Sequence, residues 1–273
     1  LERRDERLRP AAGTLTALAA ALVLCGCQAQ NGAPAADGGA PQPNEAPQPT
    51  FQRPPVVTSV SAGPGGVQLV KGVAAPDARI RALTPDPASY GATAGHDGRF
   101  SLELPAIGRG RLVHISIEAA DRSTPAIGWL FIPPDKPERA VLLRPGTAAA
   151  TLEGAGLLAA IDYDPGGAAA ASGRTKPNAA VEIFVDGEKA GDAKAGPSGG
   201  WSVRLATAKP LAEGPHAIHV QTSDARVDRT VVLSSHKAAG VFQAVREPDG
   251  WRVDWTPSGG GAQTTLVLIG PGS

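Results

Sequence analysis

The sequence predicts an all-β chain: two tandem antiparallel β-sandwiches and a C-terminal β-meander, after a helical signal segment and a disordered linker. Three observations carry that expectation. The chain repeats itself at an offset of 101 residues, where Gly72-x-x-x-Pro76-Asp77-Ala78-x-Ile80 matches Gly173-x-x-x-Pro177-Asn178-Ala179-x-Val181. Its apolar residues alternate with a period of two, as a half-buried strand requires. Outside the first 26 residues, no stretch sustains an apolar period of 3.6.

The repeat extends beyond its first block. At the same offset, Gly98-x-Phe100-Ser101-Leu102-x-Leu104 matches Gly199-x-Trp201-Ser202-Val203-x-Leu205. With two residues inserted, Ile115-x-Ile117 followed by Asp121 matches Ile218-x-Val220 followed by Asp224. Blocks in one order signal two copies of one fold. Each block reads as strands. Val181 to Val185 alternates and ends in Asp186-Gly187, a dipeptide that favours a two-residue hairpin turn. Trp201, Val203 and Leu205 share one face of a strand, with Ser202 and Arg204 on the other. His216 to Val220 alternates likewise, and the first copy offers Arg79 to Ala82, Phe100 to Leu104 and Leu112 to Ile117. Phe100 and Trp201 are predicted to fill equivalent core positions.

Composition sets limits. Hydrophobic residues make up 42% and aromatics only 4%, so the cores must be built mainly from aliphatic side chains and alanine. The formal net charge is +0, and without residues 1–26 the chain keeps 22 basic and 23 acidic residues. Such a balance offers no basic surface for nucleic acid, which is not expected as a partner. Methionine is absent even at position 1, and Leu1 reads as an alternative start codon translated literally.

The first segment has the layout of a secretory signal: Arg3, Arg4, Arg7 and Arg9, an uncharged run from Ala11 to Leu24, then Cys25-Gly26-Cys27. The run of about 14 residues is too short to span a hydrocarbon core, which needs ~20. Leu24-Cys25-Gly26-Cys27 resembles the lipobox of bacterial lipoproteins, with Leu three positions and a small residue one position before the cysteine. The resemblance implies that Cys27 is acylated and begins the mature chain, leaving no second cysteine for a disulfide. Cys25 fits less well, since Leu24 would directly precede it. Gln28 follows Cys27, where the family's inner-membrane retention signal has Asp; the resemblance therefore implies the outer membrane. Residues 28–55 carry seven prolines among Ala, Gly and Gln. A segment so poor in apolar side chains does not offset its ordering entropy. As an extended polyproline tether it reaches on the order of 80 Å.

Organisation follows: signal 1–26, acylated Cys27 and linker 27–55, first repeat 56–146, second repeat 147–236, and meander 237–273 packed on the second repeat. The repeat blocks resemble bacterial Ig-like domains of cell-envelope and surface proteins, with a Gly, a Pro-Asn/Gly-Ala turn, an apolar strand, and Asp-Gly-x-Trp/Phe-Ser before the next strand. Asp97-Gly98-Arg99-Phe100 is also similar to carboxypeptidase-regulatory-type sandwiches. These motifs are structural, so the resemblance implies no catalytic residues.

Gly196-Pro197-Ser198-Gly199-Gly200 fits G-x-S-x-G, but a nucleophile elbow leads into a helix and here a strand follows. Ser198 is predicted to sit in a turn. His96, His114, His216, His219 and His236 are scattered, and His216 and His219 fall on opposite strand faces, unable to share a metal. Asp162-Tyr163-Asp164 resembles the acidic junctions of some tandem sandwich proteins. Calcium takes six or more oxygens, which two carboxylates do not supply, and the stretch reads as a solvated loop. Ser258 to Gly261 lacks the lysine and helix of a phosphate cradle. Trp251 and Trp255 stand on one strand face about 13 Å apart, a spacing suited either to a core or to stacking on sugar rings. No cofactor and no metal are expected. The sequence thus predicts a non-catalytic lipoprotein of the cell envelope, its sandwiches making structural or adhesive contacts with an envelope protein, or binding glycan or peptidoglycan through Trp251 and Trp255.

Overall fold

Alternation along the chain becomes strand after strand. The computed structural model describes residues 52–85, 88–119, 122–234, 240, 242–257 and 260–270. They belong to one compact unit, Thr50–Ser273. The signal segment, Cys27 and the linker up to residue 51 lie outside the described residues.

The first repeat opens with β1 (Val56–Ala62), β2 (Val67–Val73), β3 (Arg79–Leu83), β4 (Ser89–Thr93), β5 (Arg99–Pro105) and β6 (Arg111–Ala119). It continues with β7 (Arg122–Pro125), β8 (Trp129–Ile132), β9 (Val141–Leu143) and β10 (Ala150–Thr151). The second repeat holds β11 (Ala160–Tyr163), β12 (Ala169–Arg174), β13 (Ala180–Val185), β14 (Glu188–Lys194), β15 (Gly200–Leu205), β16 (Gly214–Gln221) and β17 (Arg226–Leu233). The meander is β18 (Phe242–Glu247), β19 (Gly250–Trp255) and β20 (Gln263–Leu268). Every pairing among the described strands is antiparallel.

Both repeats share one topology. The first, second and fifth strands form one sheet, β1-β2-β5 in one copy and β12 flanked by β11 and β15 in the other. The third, fourth and sixth strands form the facing sheet with the seventh: β14-β13-β16-β17 in the second copy. This is an immunoglobulin-like sandwich in which the fourth strand pairs with the third instead of joining the sheet of the first, second and fifth. In the first copy the seventh strand is broken. β7 pairs with the end of β6 and β8 with its start, and Gly128, at φ 104, lies between them.

The sequence repeat is also a repeat of hydrogen bonds. Gly95 N–H donates to Arg99 O and Gly98 N–H to Gly95 O, each at 2.8 Å; Gly196 to Gly200 and Gly199 to Gly196 match at 2.8 and 2.9 Å. Ala94 N–H to Ala78 O and Ala195 N–H to Ala179 O are both 2.9 Å. Asp77 and Asn178 take φ of 58 and 63°, in the left-handed region that these two residue types tolerate best among non-glycines. Gly72 and Gly173 serve packing. A Cβ there would come within 2.4 Å of the Phe100 ring and 2.9 Å of the Trp201 ring. The repeated glycine thus makes room for a backbone carbonyl, of Val56 or Leu157, as well as for the repeated aromatic, and Phe100 and Trp201 are buried in separate sandwich cores as the alignment predicts.

Two results modify the expected layout. The meander does not merely pack on the second repeat: β20 pairs with β11, so β15-β12-β11-β20-β19-β18 is one six-stranded sheet. Hydrogen-bonding onto a sheet edge stabilises a meander too small to stand alone. The expected boundary after residue 146 falls inside a hairpin, because β10 pairs back onto β9 and carries the first repeat's sheet to Thr151. The outer face of that sheet then meets the six-stranded sheet, and a third apolar core forms between repeats. It contains Leu112, Phe131, Val141 and Leu143 from one side and Trp251, Val253, Trp255 and Val267 from the other.

Candidate functional site at the junction between the repeats

The two tryptophans proposed for glycan stacking belong to this third core. Trp251 is 8% exposed and Trp255 2%. The Trp251 ring lies 6.4 Å from Phe131, centroid to centroid, and its Nε1 donates to Asp135 Oδ1 at 2.9 Å. The exposed stacking platform is therefore corrected: the rings face the first repeat, because alternation on β19 aims them at the surface that β8 and β9 present.

Asp162 corrects a second expectation. It lies not in a solvated loop but on β11, with 4% exposure. Ile161 and Tyr163 point into the second sandwich core, so the intervening side chain points toward the first repeat. There its Oδ2 accepts the Ala149 N–H at 2.7 Å and its Oδ1 accepts the Thr265 hydroxyl at 2.6 Å. Gln263 Nε2 is 3.5 Å from Oδ1, while Gln263 Oε1 accepts the Gly146 N–H at 3.1 Å. Burial pushes the Asp162 carboxyl up to about 6, and the bonds from Thr265, Ala149 and Gln263 and the Arg144 charge only partly oppose that. Arg144 itself is held by the Ala148 carbonyl, at 2.9 Å from Nε and 2.6 Å from Nη2. Asp164, two residues on, caps its own turn by accepting the Gly166 and Ala168 N–H groups at 2.8 and 3.1 Å.

The opposite face of the meander is polar and also buried. Arg252 Nε donates to Asp254 at 3.1 Å and its Nη1 to Ser234 Oγ at 3.0 Å and to Glu247. Thr264 Oγ1 donates to the other Asp254 oxygen at 2.9 Å. Tyr163 OH donates to Ser234 O at 2.9 Å, and burial pushes that phenol up to about 12. These groups tie the meander to the end of β17.

Ser198 sits in the turn before β15, with its carbonyl held by Arg174. His216 and His219 engage different carboxylates, Asp186 at 2.7 Å and Asp228 at 2.8 Å. His96 pairs with Asp77 at 3.0 Å, and His114 stacks under Trp129 at 4.7 Å, where burial lowers its pKa. His236 and Ser258 lie outside the described residues. Among the described residues no group of three or more His, Cys, Asp or Glu side chains is placed to hold a metal ion. No helix among them is long and apolar enough to cross a membrane. Sequence reading missed Asp135, Gln263 and Thr265, whose roles exist only once the two repeats meet.

Fold and junction together define a tandem immunoglobulin-like β-sandwich chain whose repeats are fastened through a shared core. No family model matches the chain, and no curated protein does. Among solved structures it is similar to the central fibronectin-III array of RIM-binding protein, at 14% identity and a TM-score of 0.27, over 76% of this chain and 72% of that one. It is also similar to a tetra-tandem repeat from the extending region of a large adhesion protein, at 16% identity and a TM-score of 0.24, over 79% and 63%. A third is the BSP domain of a biofilm-associated protein, at 12% and 0.23, where the match spans 67% of this chain and 30% of that one. Scores this far under 0.5 add nothing to the fold read above from strand pairing.

Proposed function

We propose that the chain is a non-catalytic lipoprotein of the cell envelope. Acylated Cys27 holds it to the outer membrane, residues 28–55 space it from the lipid, and the two sandwiches make structural or adhesive contacts with an envelope protein or glycan. One observation supports the contact role above others: the repeats are fastened by a buried core that includes Phe131 and Trp251 and by the Trp251–Asp135 bond. Sandwiches joined in this way suit a part that transmits pull between an anchor and whatever it touches. The side chains that suggested chemistry in the sequence are engaged elsewhere, Ser198 in a turn and Asp162 in the junction. For anchoring, the support is the lipobox-like Leu24 to Cys27 and the short apolar run before it. Lipid chains contribute about 0.8 kcal/mol per buried methylene, so several together anchor durably.

The test is metabolic labelling with a fatty acid, followed by membrane fractionation. Label should enter the wild-type chain, vanish in Cys27→Ser and persist in Cys25→Ser. Label retained in Cys27→Ser refutes the anchor. A screen of the purified chain against ester, peptide and glycan substrates checks the contact role, and turnover of any of them refutes it.

A further inference from the structure

The junction buries an ionisable group, Asp162, among hydrogen-bond donors from both repeats. Asp162 belongs to the second repeat, and Ala149, whose N–H it accepts at 2.7 Å, belongs to the β9–β10 hairpin of the first. Thr265 and Gln263 on β20 complete the ring of donors. A cavity of about 350 Å³ adjoins this cluster, lined by Pro145, Thr147, Asp162, Asp164, Arg204 and Gln263 among others. A path to water therefore lies beside a buried carboxyl.

We propose that Asp162 is a pH-operated staple between the repeats: uncharged, it seals the β9–β10 hairpin onto the second repeat, and ionised, it opens the hairpin toward the cavity. Chemistry supports both states. A protonated carboxyl has one oxygen for the Ala149 N–H and one O–H for the Thr265 hydroxyl, which rotates to accept it. An ionised carboxylate keeps its donors but lies out of water, and water is what it gains when the hairpin lifts. The charged groups around it are few. Arg144, on the hairpin, is the one whose field favours the ionised form. Asp164 on the same side and Arg204 from β15 line the cavity. The neighbours contributed by β20 are uncharged, and on β19 Arg252 and Asp254 bond to groups on the opposite face.

The direction follows from linkage. A carboxyl near 6 when sealed and near its ordinary value when hydrated binds more protons in the sealed state between those limits. Raising the pH from about 4.5 to 7 then multiplies the open population on the order of 20-fold.

The experiment is amide exchange of the full chain followed by NMR. The readout is the protection factor of the Ala149 N–H, corrected at each pH for its intrinsic exchange rate. Wild type should lose protection on the order of 20-fold across that range. Asp162→Asn, which keeps the shape and the acceptor for the Ala149 N–H but cannot ionise, should show no such change. A flat wild-type profile, or a profile that Asp162→Asn leaves intact, overturns the staple. Thr265→Val serves if the asparagine variant does not fold. Without that hydroxyl donor the charged form is less favoured, so the transition should move to higher pH; an unmoved transition overturns the proposal.

Discussion

Trp251→Ala tests whether the third core fastens the repeats. The side chain is 8% exposed and sits among Phe131, Val253 and Val267, with its Nε1 on Asp135 at 2.9 Å. Removing a buried indole costs about 3–5 kcal/mol, because the lost transfer energy is joined by a cavity that neighbours fill only in part. The lost hydrogen bond adds little. Asp135 is 42% exposed at its side chain and keeps Arg246 at 3.5 Å, so it rehydrates rather than standing unsatisfied. In a unit of this size each kcal/mol moves the midpoint by roughly 2–4 °C, so Trp251→Ala should melt roughly 10 °C below wild type. Trp251→Phe, which keeps a ring but not the donor, should lose less than half of that. Phe131→Ala should lose a similar amount, and the double variant less than the sum, since the two rings share one space. Scanning calorimetry with far-UV circular dichroism measures the four variants against wild type. A Trp251→Ala variant melting within about 2 °C of wild type, or strict additivity with Phe131→Ala, would refute an inter-repeat core.

One further prediction concerns both sandwiches, and another the second alone. Phe100→Ala and Trp201→Ala should each cost about 3–5 kcal/mol, and urea denaturation should show losses of similar size in the two variants. His216 gives a separate pH signature. Burial alone lowers its pKa, but hydrogen bonds to Asp186 and the Ala212 carbonyl, with the Asp186 charge, outweigh it and leave the net shift upward. The folded state therefore binds the proton more tightly than the unfolded one. Its contribution is full below the ordinary histidine value and is lost as pH rises through the folded value. The midpoint of wild type should fall between about pH 6 and 8, and that fall should shrink in His216→Gln; equal slopes in the two chains would remove the assignment.

Much of the sandwich architecture was legible because its causes are local. The left-handed turns at Asp77 and Asn178 and the hairpin at Asp186 and Gly187, with φ of 51 and 87°, are written within a few residues of where they act. The break between β7 and β8 had no comparable signal, since Ala126, Ile127 and Gly128 resemble any short turn. Asp162 was misread for a related reason. A charged residue in a short run beside Asp164 looks like a loop when only neighbours in sequence are consulted, and its burial comes from Ala149 and Thr265, 13 and 103 positions away.

β19 shows where pattern reading reaches its limit. Its alternation of Trp251, Val253 and Trp255 with Arg252 and Asp254 is that of a strand with one face in water. All six of its residues are buried. The resolution lies in the partners. The aromatic face meets the first repeat, and the charged face meets groups of its own meander and of β17's end, which meet the needs of Arg252 and Asp254 almost completely. A buried charge is tolerable only when paired, and removing one partner of such a pair costs more than the pair itself contributes. Period two therefore identifies two different faces without saying that either is wet. Deciding that requires knowing what the second face meets, and here it meets a strand end some twenty residues earlier in the chain. The same ambiguity attended Trp251 and Trp255: two rings on one face signal an interface, and the partner turned out to be the chain's own first repeat.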